Sequence, residues 1–201
     1  MVAIIDYKIG NLGSINNMLK ELELDVVVTS DINVIKGASH LILPGVGAYN
    51  EGMGRLNESG LIPTLNNLVL ENKIPILGIC LGMQLMAKKS EEGNLSGLGW
   101  IDAEVVKFDL SGSSFKSPHM GWNYVLPAKE SGLFSLGERS RFYFVHSYHV
   151  KCKNEADVLT WSSHGIDFVS CFQMDNIVGI QGHPEKSHKY GLSFFKKFIS
   201  L

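Results

Sequence analysis

Cysteine is scarce in this sequence, with three residues among 201. Cys80, Cys152 and Cys171 are far apart and include no C-x-x-C pair, which excludes a disulfide framework and the usual zinc spacing. We expect Cys152 and Cys171 to be structural thiols. His146 and His149 form an H-x-x-H, but residues three apart in a strand point to opposite faces, so no shared metal is expected.

The sequence also lacks a charge surplus and a long apolar run. A net charge of −2, spread evenly, leaves no basic stripe for nucleic acid. No apolar run approaches the ~20 residues that span a bilayer, and the N-terminus lacks the flanks of a signal peptide, so we expect a cytoplasmic protein. With 45% hydrophobic residues and no linker, residues 1–201 are expected to form a single domain.

Short apolar runs alternate with helical spacing in the first half of the chain. Strands are predicted at residues 2–5, 25–29 and 40–43, and another begins at residue 76 and ends at the turn that starts at Gly78. Helical spacing is found at residues 12–22, 61–69 and 81–86. The second half contains shorter β-like segments, at residues 103–108, 124–126, 142–145, 158–161, 168–172 and 177–181. This pattern predicts an α/β fold with a flavodoxin-like, doubly wound, mostly parallel central sheet and additional antiparallel strands in the C-terminal half.

A possible nucleophile lies on the turn after the strand that begins at residue 76. Gly78 and Gly82 flank Cys80 at two residues on each side, as a sharp strand-to-helix turn requires, because side chains there would collide. A helix N-terminus favours the thiolate over the thiol. The alternative is a small buried cysteine between two packing glycines.

Two further turns follow strands that should end at the same edge of the sheet. The segment 44–47, Pro-Gly-Val-Gly, can turn backbone N–H groups toward a ligand, although it is also compatible with an ordinary tight turn. After the strand at 177–180, His183 and Glu185 project to the same side of extended chain, which can place a carboxylate beside an imidazole. The alternative is a loop with a surface carboxylate. Ligands bind at this edge of open α/β sheets.

Together these residues resemble the triad-type (class I) glutamine amidotransferases. Within that family, the chain is similar to the HisH branch, the glutaminase subunits of imidazole glycerol phosphate synthase. The similarity rests on ordered motifs at residues 5–7, 10–12, 43–48, 78–84, 118–123, 143–148 and 183–187.

The resemblance implies a glutaminase that releases glutamate and ammonia and uses no cofactor or metal. By this resemblance Cys80 is the nucleophile, His183 the base and acid, and Glu185 the residue that orients His183. Leu81 and the segment 45–47 would stabilise the oxyanion. The implied oxyanion and substrate-binding residues are Gly45, Val46, Gly47, Leu81, Gln84, Ser147 and Tyr148. For Ser147 and Tyr148, a packing role in the strand remains open.

The resemblance also implies a partner. Ammonia would pass to a HisF-type (β/α)8 cyclase subunit in a heterodimer, as a step of histidine biosynthesis, with Trp122, Tyr143 and Lys186 on the facing surface. We expect low glutaminase activity in the isolated chain. Lys8 stands where the family usually has glycine, and Gly182 where it has a bulky aromatic residue. We expect Gly182 to remove packing beside His183 and to loosen its backbone.

Other functions remain open. A HisH-like paralogue would use the same chemistry to supply ammonia for an acetamidino sugar in a surface-polysaccharide pathway, and residues 97–103 and 186–191 resemble that branch. A catalytically silent partner of a barrel subunit is an alternative of another class. A Cys-dependent hydrolase unrelated to amide nitrogen is a third, against which residues 118–123 argue.

Overall fold

Five parallel strands form the first part of the central sheet. The computed structural model describes all residues, 1–201. Continuous runs of buried aliphatic residues make these strands, because both faces of the sheet are covered. Their spatial order is β2-β1-β3-β4-β12, with β1 Val2–Ile5, β2 Val26–Thr29, β3 His40–Leu43, β4 Ile76–Ile79 and β12 Ile177–Ile180. This is the flavodoxin order, so the predicted fold class is confirmed.

Antiparallel strands extend the sheet beyond β12. The order continues β11-β10-β7-β8, and the shorter strands β9, β6 and β5 branch from β11, with β5 parallel to β6. Their bounds are β5 Lys89–Ser90, β6 Ala103–Lys107, β7 His119–Pro127, β8 Ser140–His146, β9 Tyr148–Cys152, β10 Val158–His164 and β11 Ile166–Met174. The sequence pattern missed β9, because the bend at Ser147 separates it from β8.

Six α-helices cover the sheet. They are α1 Leu12–Glu21, α2 Ile32–Lys36, α3 Tyr49–Glu58, α4 Ile62–Asn66, α5 Leu81–Leu85 and α6 His188–Phe198. The helix expected from the spacing of Leu61, Leu65 and Leu68 is α4, which continues into a π-helical turn at Asn67–Glu71. Helices α2 and α3 were not predicted from the sequence. No helix is both long and apolar enough to cross a bilayer.

Two hydrophobic layers hold the helices against the sheet. One contains Leu43, Tyr49 and Leu81, and the other contains Ile15, Phe144 and Phe195. Since β3, β4 and β12 are neighbours and parallel, their carboxyl ends meet at one edge. The turns that begin at Pro44, Cys80 and Gln181 therefore lie side by side.

Candidate active site

Cys80 occupies a strained turn between β4 and α5. Its backbone has φ 52° and ψ −107°, a conformation that residues with side chains rarely adopt. A Cβ on Gly78 would lie 2.7 Å from the Met83 nitrogen, and one on Gly82 would lie 1.9 Å from the Leu43 oxygen. The two glycines therefore permit the close strand-to-helix packing that the sequence analysis expected around this cysteine.

His183 and Glu185 form a buried pair at the end of β12. His183 Nδ1 is 2.7 Å from Glu185 Oε1, and both side chains are almost inaccessible to solvent. The backbone is held as well: the His183 N–H donates to the Tyr143 carbonyl oxygen at 2.8 Å, and the Ser187 hydroxyl donates to the His183 carbonyl oxygen at 2.6 Å. The imidazole is therefore fixed in position, with the Glu185 carboxylate next to Nδ1.

The environment of His183 favours its protonated form. Burial lowers the pKa of His183, but the Cys80 sulfur and the Glu185 carboxylate raise it, with a net value of about 10. Nε2 is buried and makes no hydrogen bond. The nearby Cys80 sulfur therefore raises the pKa of His183 through its charge and not through a hydrogen bond of good geometry. The raised pKa of His183 favours an imidazolium next to Cys80, and a positive charge in this position stabilises a thiolate.

A cavity of about 340 Å³ joins most of the predicted site residues. Cys80, Leu81 and His183 line it, together with Val46, Gly47, Gln84, Ser147 and Tyr148. Gly45 and Glu185 are buried and do not line the cavity. The structure therefore brings the ends of β3, β4, β8 and β12 to one cavity, as the sequence analysis expected for three of these strands.

The two predicted oxyanion elements are bonded to each other. The Leu81 N–H donates to the Gly45 carbonyl oxygen at 3.3 Å, so this donor already has an acceptor. Tyr7 supports the same segment, since its hydroxyl donates to the Pro44 carbonyl oxygen at 2.5 Å. Burial, and then the nearby Cys80, raise the pKa of Tyr7, which keeps the hydroxyl protonated as a donor.

Two residues of this region were not predicted from the sequence. Glu92 follows α5 in the chain, lines the cavity, and accepts the Tyr49 backbone N–H at 3.0 Å. Gln181 is fully buried, and its Nε2 is 3.6 Å from Cys80 Sγ. A carboxylate near the cysteine turn and an amide two residues before His183 are the signals that could have found them.

The three residues predicted to face a partner lie together. Trp122 and Tyr143 are a cross-strand pair with ring centroids 6.5 Å apart, and Lys186 Nζ lies 5.7 Å from the Tyr143 centroid. Alternate residues of β7 extend this surface, and they are exposed despite being apolar. These residues, which we name the β7 stripe, are Met120, Trp122, Tyr124 and Leu126, 39–62% exposed.

The expected geometry of His146 and His149 was wrong. Both rings contact Phe108, at centroid distances of 5.2 and 4.8 Å, because the bend at Ser147 interrupts the strand and its alternation. No group of three or more His, Cys, Asp or Glu side chains in the chain is arranged to hold a metal ion.

The two departures from the family pattern have structural explanations. Lys8 has φ 69°, a left-handed conformation that glycine adopts without strain, and its ammonium pairs with Asp6 at 3.1 Å. A Cβ on Gly182 would lie 2.8 Å from the Phe142 Cβ. The expectation that Gly182 leaves packing incomplete beside His183 was therefore wrong, because Phe142 fills this space.

Comparison with known proteins identifies the family. A model of class I glutamine amidotransferases matches residues 3–200. The chain belongs to this family. It is 51% identical over 200 residues to imidazole glycerol phosphate synthase subunit HisH 2 of Methanococcus maripaludis, covering 99% of this chain and 98% of that protein. It is 44% identical to HisH 2 of Pseudomonas aeruginosa and to HisH of Bdellovibrio bacteriovorus, in both cases over the full length. The chain is thus a glutamine amidotransferase of the HisH type, as the motifs predicted.

Solved structures share the fold at low sequence identity. PurLQS from Thermotoga maritima superposes with a TM-score of 0.75 at 16% identity, covering 99% of this chain and 97% of that chain. The glutaminase domain of Trypanosoma brucei CTPS, solved with bound acivicin, gives 0.63 at 16% identity, with 99% and 93% covered. These likenesses establish the architecture.

Proposed function

We propose that residues 1–201 form one glutaminase domain that hydrolyses L-glutamine to glutamate and ammonia through Cys80, His183 and Glu185. The observation that carries this proposal is the convergence of Cys80 and His183 on one cavity, with Glu185 bonded to the far side of the imidazole. Family membership supplies the amide chemistry. The HisH relatives are subunits of a synthase, which implies that this chain also works beside a partner subunit.

The first half of the reaction makes a thioester. The Cys80 thiolate attacks the side-chain amide carbon of glutamine, and the carbonyl oxygen becomes an oxyanion. The His183 imidazolium gives its Nε2 proton to the amide nitrogen as the C–N bond breaks. Ammonia leaves, and a γ-glutamyl thioester remains on Cys80. Glu185 keeps the ring in place and stabilises its positive charge before the transfer.

The second half restores the enzyme. Neutral His183 takes a proton from water, and the resulting hydroxide adds to the thioester carbon. Collapse of this second tetrahedral intermediate breaks the C–S bond, releases glutamate and returns the thiolate and imidazolium. We assign recognition of the substrate α-ammonium to Glu92, a carboxylate on the cavity wall, and recognition of the remaining polar groups to Gln84, Ser147 and Tyr148.

The oxyanion donors are in a resting arrangement. Each donor aimed at the developing charge is worth about 3 kcal/mol, but the Leu81 N–H is engaged by the Gly45 carbonyl. Rotation of the peptide between Gly45 and Val46 would release Leu81 and turn the Val46 N–H toward the cavity. Gly47, with φ 106°, can absorb such a change. This resting bond accounts for the low activity expected of the isolated chain.

The proposed partner is a HisF-type (β/α)8 cyclase subunit in a heterodimer. The β7 stripe supports a protein partner, because contiguous exposed apolar side chains with aromatic members are typical of interfaces. Tyr143 connects this surface to the base, since its carbonyl accepts the His183 N–H. Binding of a partner to Trp122 and Tyr143 can therefore change the position of His183 directly.

The test is a glutaminase assay with and without the cyclase subunit. We expect glutamate release to rise about tenfold or more when the cyclase and a ligand in its active site are present. Cys152→Ala should behave as wild type, and Cys80→Ala should stay inactive in both conditions. A high basal rate that no partner changes would contradict the proposed coupling.

A paralogue with another acceptor is the second candidate. Relatives in Methanococcus maripaludis and Pseudomonas aeruginosa are numbered HisH 2, which favours a second subunit beside a first in such organisms. Complementation of a strain that lacks HisH separates the two, with a HisF-type cyclase subunit supplied in the same strain. Growth without histidine supports the synthase, whereas failure to grow combined with ammonia transfer to a sugar acceptor supports the surface-polysaccharide role.

A further inference from the structure

A row of polar side chains begins at Asn123 on β7, which is half-buried, and is buried from His119 onward. The Asn123 Nδ2 donates to the Ser163 carbonyl oxygen at 2.8 Å, and its Oδ1 accepts the Tyr124 backbone N–H at 2.8 Å. These backbone partners fix the orientation of the amide, so the group that faces His119 Nε2, at 3.2 Å, is Nδ2. Because this nitrogen donates, His119 Nε2 accepts and carries no proton.

The next two ring nitrogens follow from the same reasoning. His119 Nδ1 and His146 Nε2 are 3.0 Å apart, and His146 Nδ1 is 2.7 Å from the Tyr148 carbonyl oxygen. A carbonyl only accepts, so His146 Nδ1 carries the proton, His146 Nε2 accepts, and His119 Nδ1 donates to it. Both rings are therefore neutral Nδ1–H tautomers. Their burial, which lowers the pKa of both histidines, agrees with this state.

From the Tyr148 carbonyl the row continues to the sulfur. Gln84 Nε2 donates to this carbonyl and to Gln181 Oε1, both at 3.1 Å. Since Gln181 Oε1 is the acceptor, Gln181 Nε2 is the atom that lies 3.6 Å from Cys80 Sγ. Gln181 is shielded from solvent, and an amide N–H directed at a sulfur stabilises its negative charge.

We infer that Gln181 is a catalytic residue that holds and stabilises the Cys80 sulfur for attack, and that Gln84, His146 and His119 are positioning residues that fix its donating orientation. This inference rests on the proposed glutaminase function. The row begins beside Trp122, which belongs to the β7 stripe, and it ends on the nucleophile. It therefore joins the back of the proposed partner surface to the reacting atom through five side chains and one backbone carbonyl.

The direct test is alkylation of Cys80 by iodoacetamide, followed by peptide mass spectrometry across a pH series. Gln181→Met keeps the length of the side chain and removes the donor. We expect the rate of Cys80 alkylation at neutral pH to fall about tenfold and the pH profile to move upward by about one unit. Gln173→Met, a half-buried glutamine on β11, is the matched control and should leave the rate unchanged.

If Gln181→Met folds and the pH profile of Cys80 alkylation is unchanged, the inference is overturned. A fall in glutamine turnover would not rescue it, because a packing defect alone lowers turnover without moving this profile. If Gln181→Met does not fold, Gln84→Met replaces it. This variant leaves Gln181 in place but removes the donor that orients it, so Cys80 alkylation should slow by about threefold. No change in that variant would count against the row.

The tautomers offer a readout independent of activity. In ¹⁵N-labelled protein, two-bond nitrogen–proton correlations should assign His119 and His146 as neutral Nδ1–H forms at neutral pH, with His119→Asn and His146→Asn used for assignment. An Nε2–H tautomer at either position would reverse the order of donors and overturn the inference.

Failure of the inference can be distinguished from failure of the proposed function. Iodoacetamide needs no glutamine recognition, whereas a glutamine-analogue electrophile such as 6-diazo-5-oxo-L-norleucine does. If Gln181→Met slows alkylation but the wild-type chain does not react with the analogue, the row stands and the glutaminase proposal fails. If the analogue labels Cys80 equally in wild type and Gln181→Met, the glutaminase proposal stands and the role of Gln181 fails.

Discussion

The parallel and antiparallel parts of the sheet contribute to the cavity in different ways. In the parallel part, β3, β4 and β12 each end at the cavity edge, and the turns after them carry the proposed oxyanion segment, Cys80 and His183. In the antiparallel part, β7 and β8 lie alongside the site, with the β7 stripe on one face and His119 and His146 on the other. The order of the parallel strands brings the proposed catalytic residues together. Cross-strand side-chain pairs of the antiparallel part connect these residues to the surface.

The largest effect is expected from removal of the proposed nucleophile in the parallel part. Cys80→Ala should lower glutamine hydrolysis by at least about four orders of magnitude, because no other group near the cavity forms a thioester. The assay is glutamate release in the presence of the partner subunit. Thermal unfolding should change little, and a variant that retained substantial turnover would remove Cys80 from the mechanism.

The close packing behind the nucleophile gives the next effect. Gly82→Ala places a Cβ against the Leu43 carbonyl, 1.9 Å away before relaxation, and should lower the free energy of unfolding by about 3 kcal/mol. Gly13 in α1 has open space around it, so Gly13→Ala is the matched control and should stabilise by about 0.5–1 kcal/mol. Urea unfolding measures both, and equal effects would contradict the packing account.

In the antiparallel part, Trp122 tests the proposed interface. Trp122→Ala removes an exposed aromatic side chain from the β7 stripe and should weaken binding of the cyclase subunit by about 2 kcal/mol, roughly thirtyfold. Isothermal titration calorimetry measures the change. Leu136→Ala, an exposed apolar residue outside the stripe, is the control. Equal affinities for the two variants would place the partner elsewhere.

The buried histidines predict a pH effect specific to the antiparallel part. Burial, and then His164, lower the pKa of His119 from 6.5 to about 4. Between these values the unfolded chain binds a proton that the folded chain does not, so stability falls as the pH falls from 6.5 toward 4. His119→Asn should reduce this slope, as measured by urea unfolding at several pH values. An unchanged slope would show that His119 does not stay neutral.

The smallest effect concerns the turn after β1. Lys8→Gly relieves a left-handed lysine and loses only a solvent-exposed ion pair, so stability should rise by about 0.5 kcal/mol. Lys20→Gly, inside α1, is the opposite control and should cost about 1 kcal/mol. A loss of stability in Lys8→Gly would mean that its pair with Asp6 matters more than the backbone strain.

The sequence was sufficient for the parallel part because its signals are local. A buried strand followed by glycines around Cys80, and a His183-Pro184-Glu185 segment after another strand, indicate turns whose meeting point is then set by strand order. The extended backbone predicted for residues 183–185 was wrong beyond His183, because Pro184–Lys186 forms a 3-10 helical turn, which still places Glu185 beside His183. The antiparallel part depends on pairing between distant segments. No local sequence signal shows that His119 faces His146, or that the bend at Ser147 turns His149 toward Phe108. The row of polar side chains that ends at Gln181 could therefore only be found in the structure.

Covalent labelling tests the central claim most directly. The chain, with its partner subunit, is incubated with 6-diazo-5-oxo-L-norleucine, and the modified peptide is mapped by mass spectrometry. The account predicts a single adduct on Cys80, prevented by excess L-glutamine and strongly slowed in His183→Ala. An adduct on Cys152 or Cys171, or no adduct in protein that binds its partner, would contradict it.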